Sequence, residues 1–427
     1  MSDKKGAHTR VVAVDALIRR FVDSVALDTV YHSSPYCDLN RQDQGLVREL
    51  VDGALRNRGK IDFHISKLSH RPLSRIDEVV LWILRVSLYE MESLRIPHYA
   101  SVHTAVSLCK ALGKTSAKGF VNAVLREFQR RPPALPEGNS SESLAIRYSH
   151  PAWLVNRYLN RWGLQTTLEL LDRNNRLPEP TLWVNPSRIK IREFRERLVA
   201  DGFDVEVVDD VPNCARVTGR RLTDHALYRE GFCFFMDTSS QRVANWVDMA
   251  GKRVVGDFCA APGGKSFLIA AQLDEDALMV SSDVSRRRLS SMKRRAAQYR
   301  LEGVNLVQAD LARGTPFGRN FDFVLADVPC SGLGTIRSNP DIRWTIRESD
   351  LFRFQQKQLE ILSSAFAGLK RGRSLVYSTC STEPEENEQV VEEFLRQQQA
   401  ELIGGFLRTF PENEGGDGFF AGQVRRV

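Results

Sequence analysis

Two cysteines follow predicted strands and could carry out covalent chemistry. Cys330 lies in the run ADVPCSGLG, 326–334, and Cys380 lies in VYSTCS, 376–381. The reactive form of cysteine is the thiolate, and at a pKa of about 8.5 only roughly a few per cent of a free thiol is ionised near neutral pH. A reactive cysteine therefore needs a site that favours the anion, which a nearby lysine or arginine can supply. The residues alone do not rank the two thiols, and simple packing is the alternative for both.

A second group of candidate residues follows the first three strands predicted in the same region. The run DFCAAPGGKS, 257–266, joins a strand to a helix. Its glycine pair, Gly263 and Gly264, permits a tight turn close to a ligand that also faces helix N–H groups. Asp283 and Asp310 end the next two strands, where acidic side chains commonly accept from ribose hydroxyls or could face an adenine edge. The pattern predicts an adenosine-bearing ligand. Both NAD and S-adenosylmethionine remain open, and capping or solubility roles are the alternative.

The elements that must position these residues are an alternation of strands and helices from Gly251 onward. Strands are predicted at RVVGDF, ALMVSSD, VNLVQAD, FDFVLAD and SLVYST, and helices from Lys265, Ser285, Ser349 and Glu383. Strands separated by helices favour a parallel, doubly wound sheet, in which ligands bind at the carboxyl ends of the strands. Nearly every candidate residue stands at such an end.

The earlier part of the chain has a different pattern. Residues 9–128 have helical periodicity, and three prolines within 131–136 interrupt it, which predicts a linker. Alternating strand and helix patterns follow. We therefore expect an all-α domain over 1–130, a linker over 131–140, a small α+β subdomain over 141–244 and an α/β domain over 245–427.

Composition restricts the setting of the chemistry. The 427 residues carry 60 Lys+Arg against 53 Asp+Glu, a net charge of +7, which favours a polyanionic partner such as nucleic acid. The polar start MSDKKGAHTR and the lack of a long apolar run indicate neither a signal peptide nor a membrane span, so we expect a cytoplasmic protein. Seven cysteines without a CxxC pair argue against a disulfide framework and a structural metal.

Four runs together resemble the Sun or RsmB (Fmu) family of RNA cytosine-5 methyltransferases. They stand in the family order and are CAAPGGK at 259–265, DVPCSGLGT at 327–335, NPDIRW at 339–344 and YSTCS at 377–381. The ending GDGFFAGQV, 416–424, resembles the family's last strands, and YSHPAWLV and MDTSSQ resemble its connecting region. Three N-terminal runs are similar to the NusB-like RNA-binding domain that marks RsmB among its relatives: VLWILRVSLYEM, VHTAVSLCKALG and KGFVNAVLREF.

The resemblance covers the whole chain and implies both a fold and an activity. The fold is a NusB-like helical domain, an α+β connecting subdomain and a Rossmann-like class I methyltransferase domain. The activity is methylation of carbon 5 of a specific cytosine in small-subunit (16S) ribosomal RNA, with S-adenosyl-L-methionine as cofactor. The expected partner is a single-stranded or junction cytosine of that RNA, free or in a partly assembled subunit, bound by a monomer. A catalytically inactive assembly factor, or an enzyme acting on another RNA such as tRNA, is the alternative.

Carbon 5 of cytosine is a poor nucleophile, which explains why this chemistry needs a thiol. A thiolate that adds to carbon 6 makes carbon 5 enamine-like, so that it can take a methyl group, and loss of the carbon 5 proton then expels the thiol. This scheme needs an electrophilic methyl donor and has no place for NAD. The resemblance makes Cys380 the nucleophile and gives Cys330 a role in adduct release. DNA cytosine-5 methyltransferases instead use a cysteine in a PC motif.

Other residues receive roles by the same resemblance. Asp327 is expected to hold N3 and the exocyclic amine of cytosine, with capping of its turn as the alternative. Lys265 is expected to support the cofactor or the active-site loop, or else to be simply solvated. The predicted cofactor-binding residues are Cys259, Ala260, Ala261, Pro262, Gly263, Gly264, Lys265, Asp283, Asp310 and Asp327. Cys259 is expected to be a packing residue.

The remaining expectations concern RNA and departures from the family. The basic run 285–300 could contact phosphates, although half of it would face solvent in any case. The N-terminal helices are the preferred RNA surface, through Arg48, Arg56, Arg58 and Lys60. The family commonly has glutamine at the position of Met236 and more basic residues at Ser338 and Asn339, which bear on a cofactor contact and the active-site loop. Four cysteines are expected to be buried fillers: Cys37, Cys109, Cys214 and Cys233.

Overall fold

The structure is a computed structural model that describes residues 2–94, 96–301, 303–410 and 415–427, with side chains from residue 7 onward. The chain forms two compact units. The first comprises the chain up to Asn175 together with Arg343–Thr345, and the second comprises the rest. Among the described helices, none is long and apolar enough to cross a membrane.

The first unit is helical, as the periodicity of residues 9–128 predicts. Asp77 caps its central helix α5 by accepting from the backbone N–H groups of Val79 and Val80. The sequence of α5 is apolar almost all round, so twelve of its residues are buried. The helices are α1 (Ser2–Phe21), α2 (Leu27–Tyr31), α3 (Arg41–Arg56), α4 (Arg58–Ser69), α5 (Glu78–Ser93), α6 (His98–Ala111), α7 (Lys118–Arg130), α8 (Ser141–Arg147) and α9 (Ala152–Asn175).

Two residues of the NPDIRW run are anchored in this first unit. The Arg343 guanidinium is fully buried and donates to the backbone oxygens of Ser149 and Asn174 at 3.0 and 2.9 Å, and to the side-chain oxygen of Asn175 at 2.7 Å. The indole N–H of Trp344 donates to the backbone oxygen of Leu55 at 2.8 Å. Burial lowers the pKa of Arg343 to about 9, and the charge of Arg56 adds to this effect.

The second unit begins with a small four-stranded antiparallel sheet in the order β2-β3-β1-β4. Its strands are β1 (Thr181–Val184), β2 (Asp204–Val207), β3 (Cys214–Thr218) and β4 (Cys233–Phe235), and the helices that follow in this region are α10 (Ile191–Ala200), α11 (Ala226–Arg229) and α12 (Thr238–Asn245). The pattern predicts β1, α10 and β2. Strands β3 and β4 were not predicted from the sequence pattern.

A seven-stranded sheet in the order β10-β11-β9-β8-β5-β6-β7 forms the larger part of the second unit. The strands are β5 (Val254–Phe258), β6 (Leu278–Asp283), β7 (Val304–Gln308), β8 (Phe321–Asp327), β9 (Leu369–Thr379), β10 (Ala400–Thr409) and β11 (Phe419–Arg426). The helices are α13 (Gly264–Ala270), α14 (Arg286–Tyr299), α16 (Asp350–Ala367) and α17 (Glu388–Gln397). The short helix α15 (Ile342–Thr345) belongs to the first unit except for Ile342. The five strands from β5 to β9 pair in parallel, as predicted, so their carboxyl ends share one edge.

The sheet is mixed, whereas the alternation predicts a wholly parallel one. Strand β11 pairs antiparallel with both β9 and β10. The reason is local, because only nine residues, 410–418, separate β10 from β11, which is fewer than the roughly dozen residues that a parallel crossover needs. Residues 415–418 of this connection lie at the carboxyl edge of the parallel strands, beside the candidate site.

Candidate active site

The pairing of β8 with β9 brings the two cysteines together. Asp327 lies opposite Ser378 in the parallel register, and the loops that leave these strands carry Cys330 and Cys380. Their sulfur atoms are 3.2 Å apart. The two residues are 50 positions apart in the sequence, so only the strand pairing makes them neighbours.

The two thiols are electrostatically unequal. The hydrogen bond to Cys380 raises the pKa of Cys330 well above its ordinary value, and burial and the charge of Cys380 act in the same direction. Cys330 therefore remains a thiol at neutral pH, and either sulfur atom can be the donor in the contact between them.

A lysine–aspartate pair lies beside the cysteines. The Nζ atom of Lys265 is 2.7 Å from Oδ2 of Asp327, and the Ser378 hydroxyl donates to the other carboxylate oxygen at 2.8 Å. Burial opposes the charged form of Lys265, but the negative charges of Asp327 and Cys380 outweigh burial and raise the pKa of Lys265. Lys265 is thus a buried ammonium group near Asp327 and Cys380.

The loop after β5 is fixed by one glycine. Gly263 has a φ of 105°, and a Cβ there would lie 2.7 Å from the Phe267 ring and 2.9 Å from Met292. A side chain at this position would therefore be both strained and overlapped. A Cβ at Gly264 would make only ordinary contact with Met236, 3.6 Å away. The loop backbone is also shaped by Cys259, which has a φ of 66°.

Cys259 is held as a thiol by its surroundings. Burial raises its pKa to about 12, and the charges of Asp283, Asp327 and Asp257 add to the shift. A group that stays protonated near neutral pH is not a nucleophile. This agrees with the packing role expected for it.

The two acidic residues expected at the adenosine end lie in different surroundings. Asp283 ends β6 and is buried, where it accepts from the N–H groups of Ala261 and Ser285 and pairs with Arg288 at 2.9 Å. Asp310 stands two residues beyond β7, where it accepts from the N–H of Ala312. Its side chain is 38% exposed. Asp283 therefore shapes the glycine-containing loop as well as offering oxygens to a ligand, and Asp310 is the more accessible of the two.

A cavity of about 260 Å³ is bounded by this loop and by Asp327 and Thr335, while Cys330 and Cys380 are not among the described residues that line it. Asp257 lines it, is fully buried and has one carboxylate oxygen, Oδ1, without a hydrogen-bond partner among the described residues. A buried carboxylate oxygen without a donor is unfavourable, and a cationic ligand in the cavity would satisfy it. Other lining residues include Ala260, Ala261, Pro262, Gly264, Lys265, Asp327 and Phe419. This donor set fits S-adenosylmethionine, which carries both a sulfonium and an ammonium group.

The residues at which the family pattern differs lie around the same cavity. Met236 and Asp237 line it together with Asp417. The Asp237 carboxylate accepts from the Asp417 N–H at 3.1 Å, and the Ser338 hydroxyl donates to the Asp417 side chain at 2.8 Å. Asn339 donates to the hydroxyl of Thr335. Ser338 and Asn339 therefore connect the active-site loop to neighbouring polar groups instead of adding positive charge.

One expectation about the cysteines is wrong. Cys37 is exposed, unlike Cys109, Cys214 and Cys233, which are buried as predicted. It lies in the short turn Tyr36–Asp38 after α2, and helical periodicity does not predict the exposure of a residue in such a turn.

The expected basic RNA surface of the N-terminal helices is also wrong in part. Arg56 is buried, and Arg58 packs 5.1 to 5.3 Å from the rings of Phe21, Trp82 and Trp344, where burial lowers its pKa to about 10. Lys60 pairs with Glu92 at 3.1 Å, and only Arg48 is exposed. Arginine stems and guanidinium planes pack readily on aromatic rings, so a charge on a helix does not establish a basic surface.

Helix α14 has a more open basic face. Its apolar residues Leu289 and Met292 are buried, so the basic residues on the other side of the helix face solvent. The exposed basic residues of this face are Arg286, Arg287, Arg288, Lys293 and Arg294.

The sheet topology, the loop after β5 and the adjoining cavity define a Rossmann-like methyltransferase whose cofactor is S-adenosylmethionine. Residues 244–425 match the family model of the 16S rRNA methyltransferase RsmB/F. Residues 7–130 match the NusB family, and residues 150–221 match the ferredoxin-like domain of the RsmF/B-like methyltransferases. The chain belongs to the RsmB/F family.

Curated relatives match this chain over most of its length. The ribosomal RNA small subunit methyltransferase B of Proteus mirabilis (strain HI4320) is 30% identical, and the match covers 99% of this chain and 100% of the relative. The protein of the same name from Klebsiella pneumoniae (strain 342) is 34% identical over 89% of each chain. The crystal structure of PH0851 has the same fold, with a TM-score of 0.83 and 21% identity over 98% of this chain and 99% of that one.

Several residues of the site had no sequence-based prediction. The acidic residues Asp257, Asp417 and Glu386 are buried at or beside the cavity and the cysteines. Asp257 stands inside the DFCAAPGGKS run, so its position before the glycine-containing loop was a usable signal. Asp417 stands inside the run GDGFFAGQV, which was a usable signal too, whereas no local signal marks Glu386, because it reaches the site through a tertiary contact.

Proposed function

We propose that this chain transfers a methyl group from S-adenosylmethionine to carbon 5 of a specific cytosine in 16S ribosomal RNA, through a covalent bond between a cysteine and carbon 6. The observation that carries the proposal is the 3.2 Å contact between the sulfur atoms of Cys330 and Cys380, with the Lys265–Asp327 pair beside it. An unactivated cytosine ring requires a nucleophile at carbon 6, and two unlike thiols at one site supply both an attacking and a releasing group.

Cys380 is the nucleophile in this mechanism. Its sulfur accepts a hydrogen bond from Cys330 and lies in the field of the buried Lys265 ammonium, and both effects favour the thiolate. Addition of this thiolate to carbon 6 moves the ring electrons to carbon 5. When bound, S-adenosylmethionine supplies the electrophilic methyl group that carbon 5 takes. Loss of the carbon 5 proton then restores the ring and breaks the carbon–sulfur bond at carbon 6.

Asp327 and Cys330 act on the ring before and after methyl transfer. Asp327 holds the cytosine edge at N3 and the exocyclic amine, and Lys265 and Ser378 fix the orientation of its carboxylate. Cys330 assists release of the adduct. Its thiol lies against the Cys380 sulfur, where it can return a hydrogen bond to the leaving thiolate.

The cofactor is held by the loop after β5 and by acidic residues at the carboxyl edge. The residues proposed to bind it are Cys259, Ala260, Ala261, Pro262, Gly263, Gly264, Lys265, Asp283, Asp310 and Asp327, to which we add Asp257. The proposal includes the domain division, with a NusB-like RNA-binding domain over 1–130 and a catalytic domain over 245–427. The target cytosine must be unstacked to reach the cavity, which costs least in a loop or junction of the RNA.

Bisulfite sequencing of 16S ribosomal RNA tests the proposal. A deletion strain should lose methylation at one cytosine, and expression of the wild-type chain should restore it, while Cys380→Ala should not. Retention of every methylated cytosine in the deletion strain would rule out the ribosomal target. Methylation restored by Cys380→Ala would instead rule out this residue as the nucleophile. Loss of methylation in tRNA alone would indicate another RNA substrate.

A further inference from the structure

Glu386 is a buried carboxylate that contacts both cysteine loops. It lies in the turn after β9 and is fully buried. Its Oε1 accepts from the Ser331 backbone N–H at 2.7 Å and from the Gln358 amide at 3.0 Å. Its Oε2 accepts from the hydroxyls of Ser331 and Ser381, each at 2.5 Å. Four donors therefore satisfy one carboxylate.

The two serines that it holds are the immediate neighbours of the two thiols. Ser331 follows Cys330, and Ser381 follows Cys380. The serine hydroxyls are 3.2 Å apart, the same separation as the two sulfur atoms. One carboxylate thus fixes the backbone on the carboxyl side of both cysteines.

We propose that Glu386 is a positioning residue that holds Cys330 and Cys380 in contact by binding the serine that follows each of them. The inference rests on the proposed function for its catalytic meaning, because release as proposed needs the Cys330 thiol against the sulfur that leaves carbon 6. The geometric part can be measured without RNA or cofactor.

The turn itself does not depend on the carboxylate. The Tyr377 hydroxyl donates to the Glu386 backbone oxygen at 2.5 Å. The Asn387 side chain donates to the Ser381 backbone oxygen at 3.0 Å and accepts from the hydroxyl of Thr379 at 2.6 Å. These bonds hold the segment from Thr379 to Asn387 by other groups. The carboxylate is therefore available for the contact between the loops.

The charge of Glu386 also separates the two thiols. Burial raises the pKa of Glu386, but its four donors oppose this shift. The ionised carboxylate in turn contributes to the raised pKa of Cys330, after the larger effects of Cys380 and burial. Glu386 thus helps to keep Cys330 protonated while its hydrogen bonds hold Cys330 against Cys380.

Cross-linking of the two thiols tests the positioning. Diamide oxidises two thiols to a disulfide, and its N=N bond takes up the two hydrogen atoms. We expect the Cys330–Cys380 disulfide, followed by peptide mass spectrometry, to form about tenfold more slowly in Glu386→Ala than in wild type, because the contact makes the reaction intramolecular. The matched control is Asp322→Asn. Asp322 is also a buried carboxylate that binds two backbone N–H groups, but at the opposite end of β8.

A second measurement separates positioning from general stability. In a Cys380→Ser background, we compare the pH at which the alkylation rate of Cys330 rises. This pH should be lower in Glu386→Gln than with Glu386 present, because the amide removes a negative charge but keeps the shape of the side chain. Asp322→Asn should leave this pH profile unchanged. Glu386→Gln also serves if Glu386→Ala fails to fold.

Cross-linking and alkylation that are unchanged in both Glu386 variants would overturn the inference. The same would follow if Asp322→Asn reproduced both effects. Cross-linking that depends on Glu386 in a protein that methylates no cytosine would instead uphold the positioning role and refute the proposed function.

Discussion

At the scale of single residues, two chemically identical side chains have different properties because of their neighbours. The contact with Cys380 raises the pKa of Cys330, and the Lys265 ammonium lies near Cys380. These unlike surroundings support the different roles that we propose for the two thiols. The surroundings of Asp257 also change its properties, because burial raises its pKa to about 7.

The two thiols should give opposite results when RNA adducts are trapped. We expect Cys330→Ala to form and accumulate a covalent protein–RNA complex, because attack is retained and release is impaired. Cys380→Ala should form none, because carbon 6 receives no nucleophile. Denaturing gel electrophoresis with labelled RNA and S-adenosylmethionine measures both. The converse result would exchange the two roles.

Asp257 should make the stability of the protein depend on pH. Burial raises its pKa to about 7, opposed by the Ser266 hydroxyl and assisted by the charge of Asp327. Between about pH 4 and pH 7 the folded state keeps a proton that the unfolded state has lost, so stability falls as pH rises through this window. Below it both states are protonated, and above it both are ionised.

Asp257→Asn should therefore reduce the difference in apparent Tm between about pH 5 and about pH 8, because the amide does not titrate. The underlying change in unfolding free energy is on the order of 1 to 4 kcal/mol. Differential scanning fluorimetry measures it, and Asp310→Asn is the control because its side chain is partly exposed. An identical pH dependence in wild type and Asp257→Asn would contradict the assignment.

At the scale of elements, adjacent parallel strands build the site and one helix exposes a basic face. The edges of β5, β8 and β9 carry the cofactor loop, Asp327 and Cys380. Helix α14 follows β6 and turns its buried residues inward, so that its cations face solvent. We therefore expect RNA to contact the basic run 285–300 rather than the arginines of α3 and α4, which are largely packed.

Charge reversal on α14 should weaken RNA binding. For the pair Lys293→Glu and Arg294→Glu we expect lower affinity and a salt dependence reduced by about one to two in the slope of log K against log salt. Lys357→Glu with Arg371→Glu is the control, because both residues are exposed on other elements of the same unit. Fluorescence anisotropy with an RNA fragment measures the affinity and its salt dependence. Equal losses in both variants would indicate general electrostatics instead of a contact on α14.

At the scale of the whole molecule, the chain does not keep its units in simple sequence order. Residues 343–345 belong with the helical unit, although the residues on both sides belong to the second unit. Arg343 makes three hydrogen bonds there through its planar guanidinium. This arginine therefore contributes to the stability of the first unit from a distant position in the sequence.

Arg343→Lys should destabilise the protein by about 2 to 4 kcal/mol, because one ammonium group cannot reproduce the planar, multiply bonded arginine in a buried site. A fall in apparent Tm measures the effect. Arg347→Lys is the control, since Arg347 is exposed four residues further along. A Tm for Arg343→Lys equal to that of wild type would show that the three bonds add nothing.

The sequence by itself determined the parts of this protein that depend on short stretches of chain. Alternating apolar strands and helices predicted the parallel strands β5 to β9, and the residues after those strands predicted Cys330, Cys380, Asp327 and the loop 259–265 as one site. Strands β3 and β4, of five and three residues, escaped prediction because such short strands lack a distinctive period. The antiparallel edge escaped prediction because the alternation of strands and helices stops before β10 and β11.

Tertiary structure alone decided which of these residues touch and how they are charged. The contact of Cys330 with Cys380 comes from the register of β8 and β9, and Glu386 joins their loops through bonds that no local pattern encodes. The burial of Arg56 and Arg343 and the unpartnered oxygen of Asp257 likewise depend on distant residues. Hydrogen bonding and burial are properties of the assembled chain, and they set pKa values and contacts that residue type and spacing leave open.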